Sequence, residues 1–365
     1  MRKLIMLLTL LMPVSLFLAG CGDGNADQAE KKTKDQLNVY TTVYPLQYFA
    51  ERIGGSYVDA HTIYPPGADE HTFEPSQKDM MTLADSDLFI YIGLGLEGFV
   101  SKAEGTLENE NVTLLAAGEN IDMTGTENGH SHEEGTEEEG HEEDGHSHEE
   151  DGHSHEEDGH SHEEDGHSHE EDGHSHEEDG DSHEEDGHNH GDVDPHVWLD
   201  PLYAADLAEA VKDALAEKMP QHQKEFEENY QKLAAELDSL HHEFEQTIDS
   251  AKHKQILVSH AAYGYWEKRY GLEQISVSGL STSNEPTQKE LENIIKTARE
   301  NGLNYLFFEQ NVSSKLAEIV QNEVGAKPLQ LHNLSVLTDE NIDNEETYFT
   351  LMENNLKGIE KALNN

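Results

Sequence analysis

The sequence predicts an α/β protein. It has two lobes, each with a central, mainly parallel sheet flanked by helices, joined by one long rigid linker helix. Three observations carry this expectation. Apolar strand-like runs alternate with helix-length segments, the signature of a parallel sheet with crossover helices. The alternation occurs twice, in residues 37–218 and again in residues 251–365. Between the two lies an unbroken helical stretch, in residues 219–250, that at 1.5 Å per residue runs roughly 43 Å.

In the first half, Leu37–Val43 (LNVYTTV) reads as a buried strand and Pro45–Gly54 as a helix. Val58–Tyr64 alternates like a second strand, and the loop PPGADEHTFEPS follows from Pro65 to Ser76. Gln77–Ala84 is a helix, and Asp87–Ile92 and Asn111–Leu115 are strands. An insertion at residues 129–191 then interrupts the lobe, and the chain resumes at DPHVWLDP, Asp194–Pro201. Leu202–Glu217 is an amphipathic helix, and Pro220 suits the first turn of the next one. From Gln221 to about Ser250 the apolar positions are Phe226, Tyr230, Leu233, Leu237, Leu240, Phe244 and Ile248, one helical stripe. The second half gives strands at Gln255–Ser259, Ile275–Gly279, Tyr305–Glu309 and Pro328–Leu331. Its helices fall at Tyr263–Tyr270, Thr287–Asn301, Ser313–Val324 and Glu345–Leu363.

The two segments outside this plan are informative. Arg2 and Lys3 precede an apolar run, Leu4–Leu18, that ends in Leu18-Ala19-Gly20-Cys21. This reads as a signal peptide over residues 1–20, resembling a bacterial lipobox in which Cys21 is lipidated. Residues 21–36 form a polar tether, so the expected location is the outer face of the cell membrane, held by acyl chains. Cys21 is the only cysteine, which excludes an internal disulfide. The insertion is built from His, Glu, Asp, Gly and Ser, with HSHEEDG repeated from His146. It has no apolar a and d positions, so it is not a coiled coil, and nothing in it can form a core. Its paired imidazoles (His146, His148, His153, His155, His160, His162, His167, His169, His174 and His176) are candidate low-affinity metal ligands. The formal net charge of −54 argues against nucleic acid as a partner.

In open α/β sheets, ligands bind beyond the carboxyl ends of strands. His71 lies after the second strand, preceded by Glu70, and His260 directly follows Ile256–Ser259. Glu309 ends Leu306-Phe307-Phe308, where an unpaired carboxylate would be costly to bury. His196 opens the segment after the insertion, and His332, following a strand, is the strongest spare. His71, His196, His260 and Glu309 make an N3O set suited to Zn²⁺.

GADEHTFEPS, DPHVWLDP, VSHAAYGYW, YLFFEQN and GLSTSNEPT resemble the motifs of metal-binding lipoproteins that feed bacterial ABC importers, most closely the zinc-uptake branch. The resemblance spans nearly all of the chain outside the tether and repeat. It implies two lobes with the metal in the cleft between them. It also implies ligands at His71, His196, His260 and Glu309, with Glu70 competing for the fourth position. Manganese-binding relatives have a carboxylate where this chain has His260, so the branch implied is zinc. The expected function is a high-affinity zinc receptor, a monomer and not an enzyme, that delivers Zn²⁺ to an ABC permease while the repeat gathers or senses zinc. The competing readings are a surface zinc buffer or metallochaperone, a manganese-binding relative, a surface adhesin, for which nothing in the sequence is specific, and a metallohydrolase. The last is disfavoured because the chain has no HExxH and the site is filled by protein ligands.

Overall fold

Two four-stranded sheets of identical topology organise the chain in a computed structural model, which describes residues 36–123, 193–310 and 314–365. The first contains β1 (Leu37–Thr41), β2 (Val58–Thr62), β3 (Leu88–Tyr91) and β4 (Thr113–Ala116), in the order β2-β1-β3-β4. The second contains β5 (Gln255–His260), β6 (Glu273–Ser278), β7 (Tyr305–Phe308) and β8 (Lys327–Gln330), in the order β6-β5-β7-β8. All pairings are parallel. In each sheet the chain steps outward once and then crosses back past its first strand. The crevice of an open α/β sheet opens at that reversal, between β1 and β3 and between β5 and β7.

Ten helices accompany the strands among the described residues: α1 (Tyr44–Gly54), α2 (Gln77–Ala84), α3 (Val100–Leu107), α4 (Pro201–Lys218), α5 (Gln223–Asp249), α6 (Gly264–Tyr270), α7 (Gln288–Glu300), α8 (Lys315–Val324), α9 (Asp339–Asp343) and α10 (Tyr348–Leu363). None is long and apolar enough to cross a membrane. Several starts are written in the sequence. Ser76 and Asp79 form a capping box on α2, as do Thr287 and Glu290 on α7. Asp200 caps α4, with Pro201 in its first turn. Pro220 starts a short 3₁₀ turn at Pro220–His222, so α5 begins two residues later than the periodicity suggests.

α5 touches both halves of the chain. Near its start, Asn229 donates to the Ile53 carbonyl at 3.1 Å, and Glu236 pairs with Arg52 of α1 at 2.8 Å. Near its end, Phe244 packs against Trp266 and Tyr270 of α6, with ring centroids 5.1 and 5.7 Å apart. Phe226, Leu233, Leu237, Leu240, Phe244 and Ile248 are buried, each stabilising by roughly 1.5–3 kcal/mol. Tyr230, expected in the same stripe, is only half-buried, because its ring lies under the Lys212 ammonium at 5.0 Å.

One apolar core runs through both sheets, from Val39 and Phe89 to Trp266, Phe307 and Tyr348. A second, smaller cluster joins β5, β6 and β7 to α7 and α8 through Leu257, Val277, Ala298, Leu306, Ala317 and Val320. Strand alternation produces the division: Ile256 and Val258 face the large core, and Leu257 faces the small one. Residues 1–35, which hold the expected signal peptide and most of the expected tether with Cys21, and the repeat histidines lie outside the described residues.

Candidate metal centre

The loop after β2 delivers His71. Its backbone amide donates to Asp69 Oδ1 at 2.9 Å, and Phe73 anchors the loop against Tyr64 and Phe99. His196 comes from DPHVWLDP, where each conspicuous residue has a partner. Asp194 Oδ1 accepts from the His196 amide at 3.0 Å and lies 2.8 Å from its Nδ1. This contact places the Nδ1 proton toward the carboxylate and leaves the Nε2 lone pair for a metal. The Trp198 indole donates to the Asn333 carbonyl at 2.7 Å, and Asp200 pairs with Arg269. Gly264 makes room for Asp194, since a Cβ there would sit 2.6 Å from Oδ2. His260 is the last residue of β5, one residue beyond the expected end of that strand.

These three segments bring His71, His196 and His260 together. Their ring centroids stand 5.3, 5.4 and 5.0 Å apart, and one nitrogen from each lies within 4.8 Å of the others. His71 Nε2 and His196 Nε2 are buried without a hydrogen-bond partner. Two buried imidazole nitrogens without a protein partner in one pocket are costly unless something ligates them. The chemistry of the set fits a dication that takes imidazole nitrogen.

Glu309 and Glu70 flank the histidines without joining that tight group. β7 ends at Phe308, and Glu309 follows it, fully buried. Its Oε1 is 2.9 Å from His260 Nδ1, and its Oε2 accepts from Asn333 Nδ2 at 3.1 Å. The same Asn333 nitrogen donates to Glu70 Oε1 at 2.9 Å, and that oxygen lies 4.0 Å from His71 Nε2. One amide therefore clips both carboxylates at the rim of the site. His260 Nε2 faces the Leu280 carbonyl at 2.8 Å, so both nitrogens of this ring are engaged.

Burial and neighbouring charge divide these groups. Burial pushes His71 down to about 4, helped by His196 and His260, so it is neutral at pH 7. Burial also opposes a charged His260, but the Glu309 charge and hydrogen bond outweigh it and hold the ring up at about 9. Glu309 is buried too, yet His260 and its hydrogen bond keep its carboxyl below the usual range. Burial, then the Glu309 charge, raises Glu70 to about 7.

His332 does not belong to the site. Its Nδ1 accepts from the Leu334 amide at 2.9 Å and its Nε2 meets Asn341 Oδ1 at 3.1 Å, so both nitrogens hold the loop after β8. Sequence reasoning missed Asp194, Asn333 and the Leu280 carbonyl. Asn333 did carry a signal, since it too follows a strand end, but a search for metal donors passes over an amide.

The family model described as zinc-uptake complex component A, periplasmic, matches residues 39–362. The chain is 30% identical over 366 residues to the zinc-binding lipoprotein AdcA of Streptococcus pneumoniae, covering 99% of this chain and 61% of that protein. It thus spans about three fifths of the length of that relative. It is 29% identical over 348 residues to the high-affinity zinc uptake system protein ZnuA of Bacillus subtilis, covering 95% and 94% of the two chains. Among solved structures it resembles the Zn(II)-bound ZnuA-like domain of S. pneumoniae AdcA, with TM-score 0.64, 26% identity, and coverage of 90% of this chain and 100% of that one. Two like-wound parallel sheets, a three-histidine cluster at their carboxyl edges and a family match over nearly the whole described fold lead to one conclusion: the chain belongs to the family of the zinc-uptake complex component A.

Proposed function

We propose that this chain is an extracytoplasmic receptor that captures Zn²⁺ and delivers it to an ABC permease. The observation that carries the reading is the pair of orphaned, buried imidazole nitrogens of His71 and His196 beside His260. Three nitrogens favour Zn²⁺ over Mn²⁺, which prefers more oxygen. The names of the AdcA and ZnuA relatives support the same metal and the same task. The family is a solute-binding one, and a site ringed by protein donors suits retention of an ion better than activation of water.

Two carboxylates compete for the fourth position. If Leu280 retains the proton on His260 Nε2, then Nδ1 and Glu309 Oε1 face the ion together, as the sequence suggests. The second reading rests on Glu70, 4.0 Å from the orphaned His71 Nε2, with Glu309 then orienting His260. Glu309→Gln and Glu70→Gln separate them. The ligand's loss weakens zinc far more than the neighbour's, and zinc-edge absorption shows one fewer oxygen.

Competition calorimetry with Zn²⁺ and Mn²⁺ on the full chain tests the receptor reading. One tight zinc site must survive deletion of residues 129–191; loss of all tight binding in that variant would instead favour a surface buffer or metallochaperone. In this proposal the repeat supplies weak, fast-exchanging sites that raise local zinc, and these fade below about pH 6 as imidazole protonates. Cys21 carries the lipid anchor and the receptor acts as a monomer. Labelling with a radioactive fatty acid that vanishes in Cys21→Ser checks the first point, and light scattering the second.

A further inference from the structure

A second group of metal donors lies on α5, away from the cleft. His241, His242 and Glu245 each place one donor atom within 4.8 Å of the other two. Glu245 Oε2 lies 3.5 Å from His242 Nδ1, while Asp238 Oδ2 lies 3.8 Å from Nε2 on the other side of that ring and so orients it rather than joining the donor group. Positions 241 and 242 precede 245 by four and three residues, so the three side chains share one face of the helix.

Three further features favour a cation here. Tyr270 of α6 stands 3.0 Å from His241 Nδ1. When Nδ1–H donates to that hydroxyl, the Nε2 lone pair is left for a metal and the ring is held in place. The neighbouring cation, Arg269, is paired with buried Asp200. Finally, α5 carries eight acidic residues against two lysines, so the local field draws dications.

We propose that His241, His242 and Glu245 form a second, weaker, water-exposed site for a divalent transition metal on α5. Two imidazoles and one carboxylate suit a borderline ion such as Zn²⁺, with water completing its shell. His242 and Glu245 are more than half exposed, so the site exchanges quickly, unlike the buried cleft. A bound ion bridges two turns of the segment that packs Phe244 on Trp266, and so stiffens the contact between α5 and α6.

The test is anomalous diffraction at the zinc edge on crystals of the full chain grown with excess zinc. A peak is expected among His241, His242 and Glu245, resolved from the cleft peak. The double variant His242→Ala/Glu245→Gln changes only exposed side chains; it must cut the helix peak at least tenfold and leave the cleft peak unchanged. No helix peak in the parent chain, or a peak that survives in the double variant, overturns the proposal. The cleft peak reads the receptor function separately.

Discussion

The two sheets share a strand order, yet they are held differently. The first is enclosed by the large core on both sides, with Phe49 and Leu207 among the residues that close over it and Leu83, Ala103 and Leu107 on α2 and α3. The second is fastened to that core on one side only, by aromatics such as Trp266, Tyr263, Phe307 and Tyr348. Its other side meets α7 and α8 through a cluster whose buried members are all aliphatic. Motion that leaves the core intact is therefore cheapest in the α7–α8 layer, where little apolar area is at stake. Wide hinge opening would have to break contacts that span the halves, such as the Trp266 indole donating to the Leu199 carbonyl at 2.7 Å and the Tyr348 hydroxyl donating to the Trp198 carbonyl at 2.8 Å. The loop that carries Leu280 and Thr282 leads from β6 to α7. It also reaches across to the first half, where Thr282 donates to Asp69 at 2.8 Å. Small displacements of that loop and layer are the economical way to open this cleft.

The sharpest way to break the comparison is to cut each core. Trp266→Ala should cost about 3–5 kcal/mol in a global denaturant transition. Val320→Ala should cost less, and hydrogen exchange should localise its effect to α7 and α8. Equal and global losses from both would mean the two clusters unfold as one. Next in size is the site itself: His196→Ala should weaken zinc by roughly 10²–10³-fold, one ligand's share of a four-ligand site, measured by chelator competition. An unchanged affinity would remove His196 from the ligand set.

Asn333→Ala should weaken zinc by about 10–100-fold, as expected for a residue that orients ligands. Because Asn333 comes from the second half and clips Glu70 of the first, that loss should exceed the loss from Thr282→Val, whose contact lies outside the donor set. The smallest effect is protonic. The metal-free His260 stands at about 9, so at pH 7–8 it carries a proton that zinc must expel when it takes this ring. Binding should release about one proton, and affinity should fall about tenfold per pH unit as pH drops below 9. His71, held at about 4, adds no proton competition until far lower pH. Calorimetry in buffers of different ionisation enthalpy reads the proton count, and zero release would contradict the pairing of His260 with Glu309.

All eight strands were legible because parallel strands are short apolar runs set between strong helix signals. α3 was not, because Gly105 lies within it and Phe99 at its start supplies no side-chain cap. α9 is a single turn that only its Thr338 cap announces. The three histidines could be read from their places near strand ends. The clip made by Asn333 could not, since one amide bridging carboxylates from distant segments is a property of the fold alone. The left-handed backbone of Leu334, at φ 62°, is part of how that loop is shaped, and an ordinary leucine gives no sign of it.

The hydroxyl of Tyr265 lies 3.7 Å from Met123 Sδ and 2.5 Å from the Asp194 carbonyl. The last described residue before the insertion and one of the first after it are thus brought to the same phenol. A segment whose ends are already pinned together can lengthen at little cost, about 0.6 kcal/mol for each doubling. The number of HSHEEDG copies is therefore a quantity that tandem duplication and loss can change without asking anything of the sheets. Copy number can therefore change independently of the fold that carries the repeat.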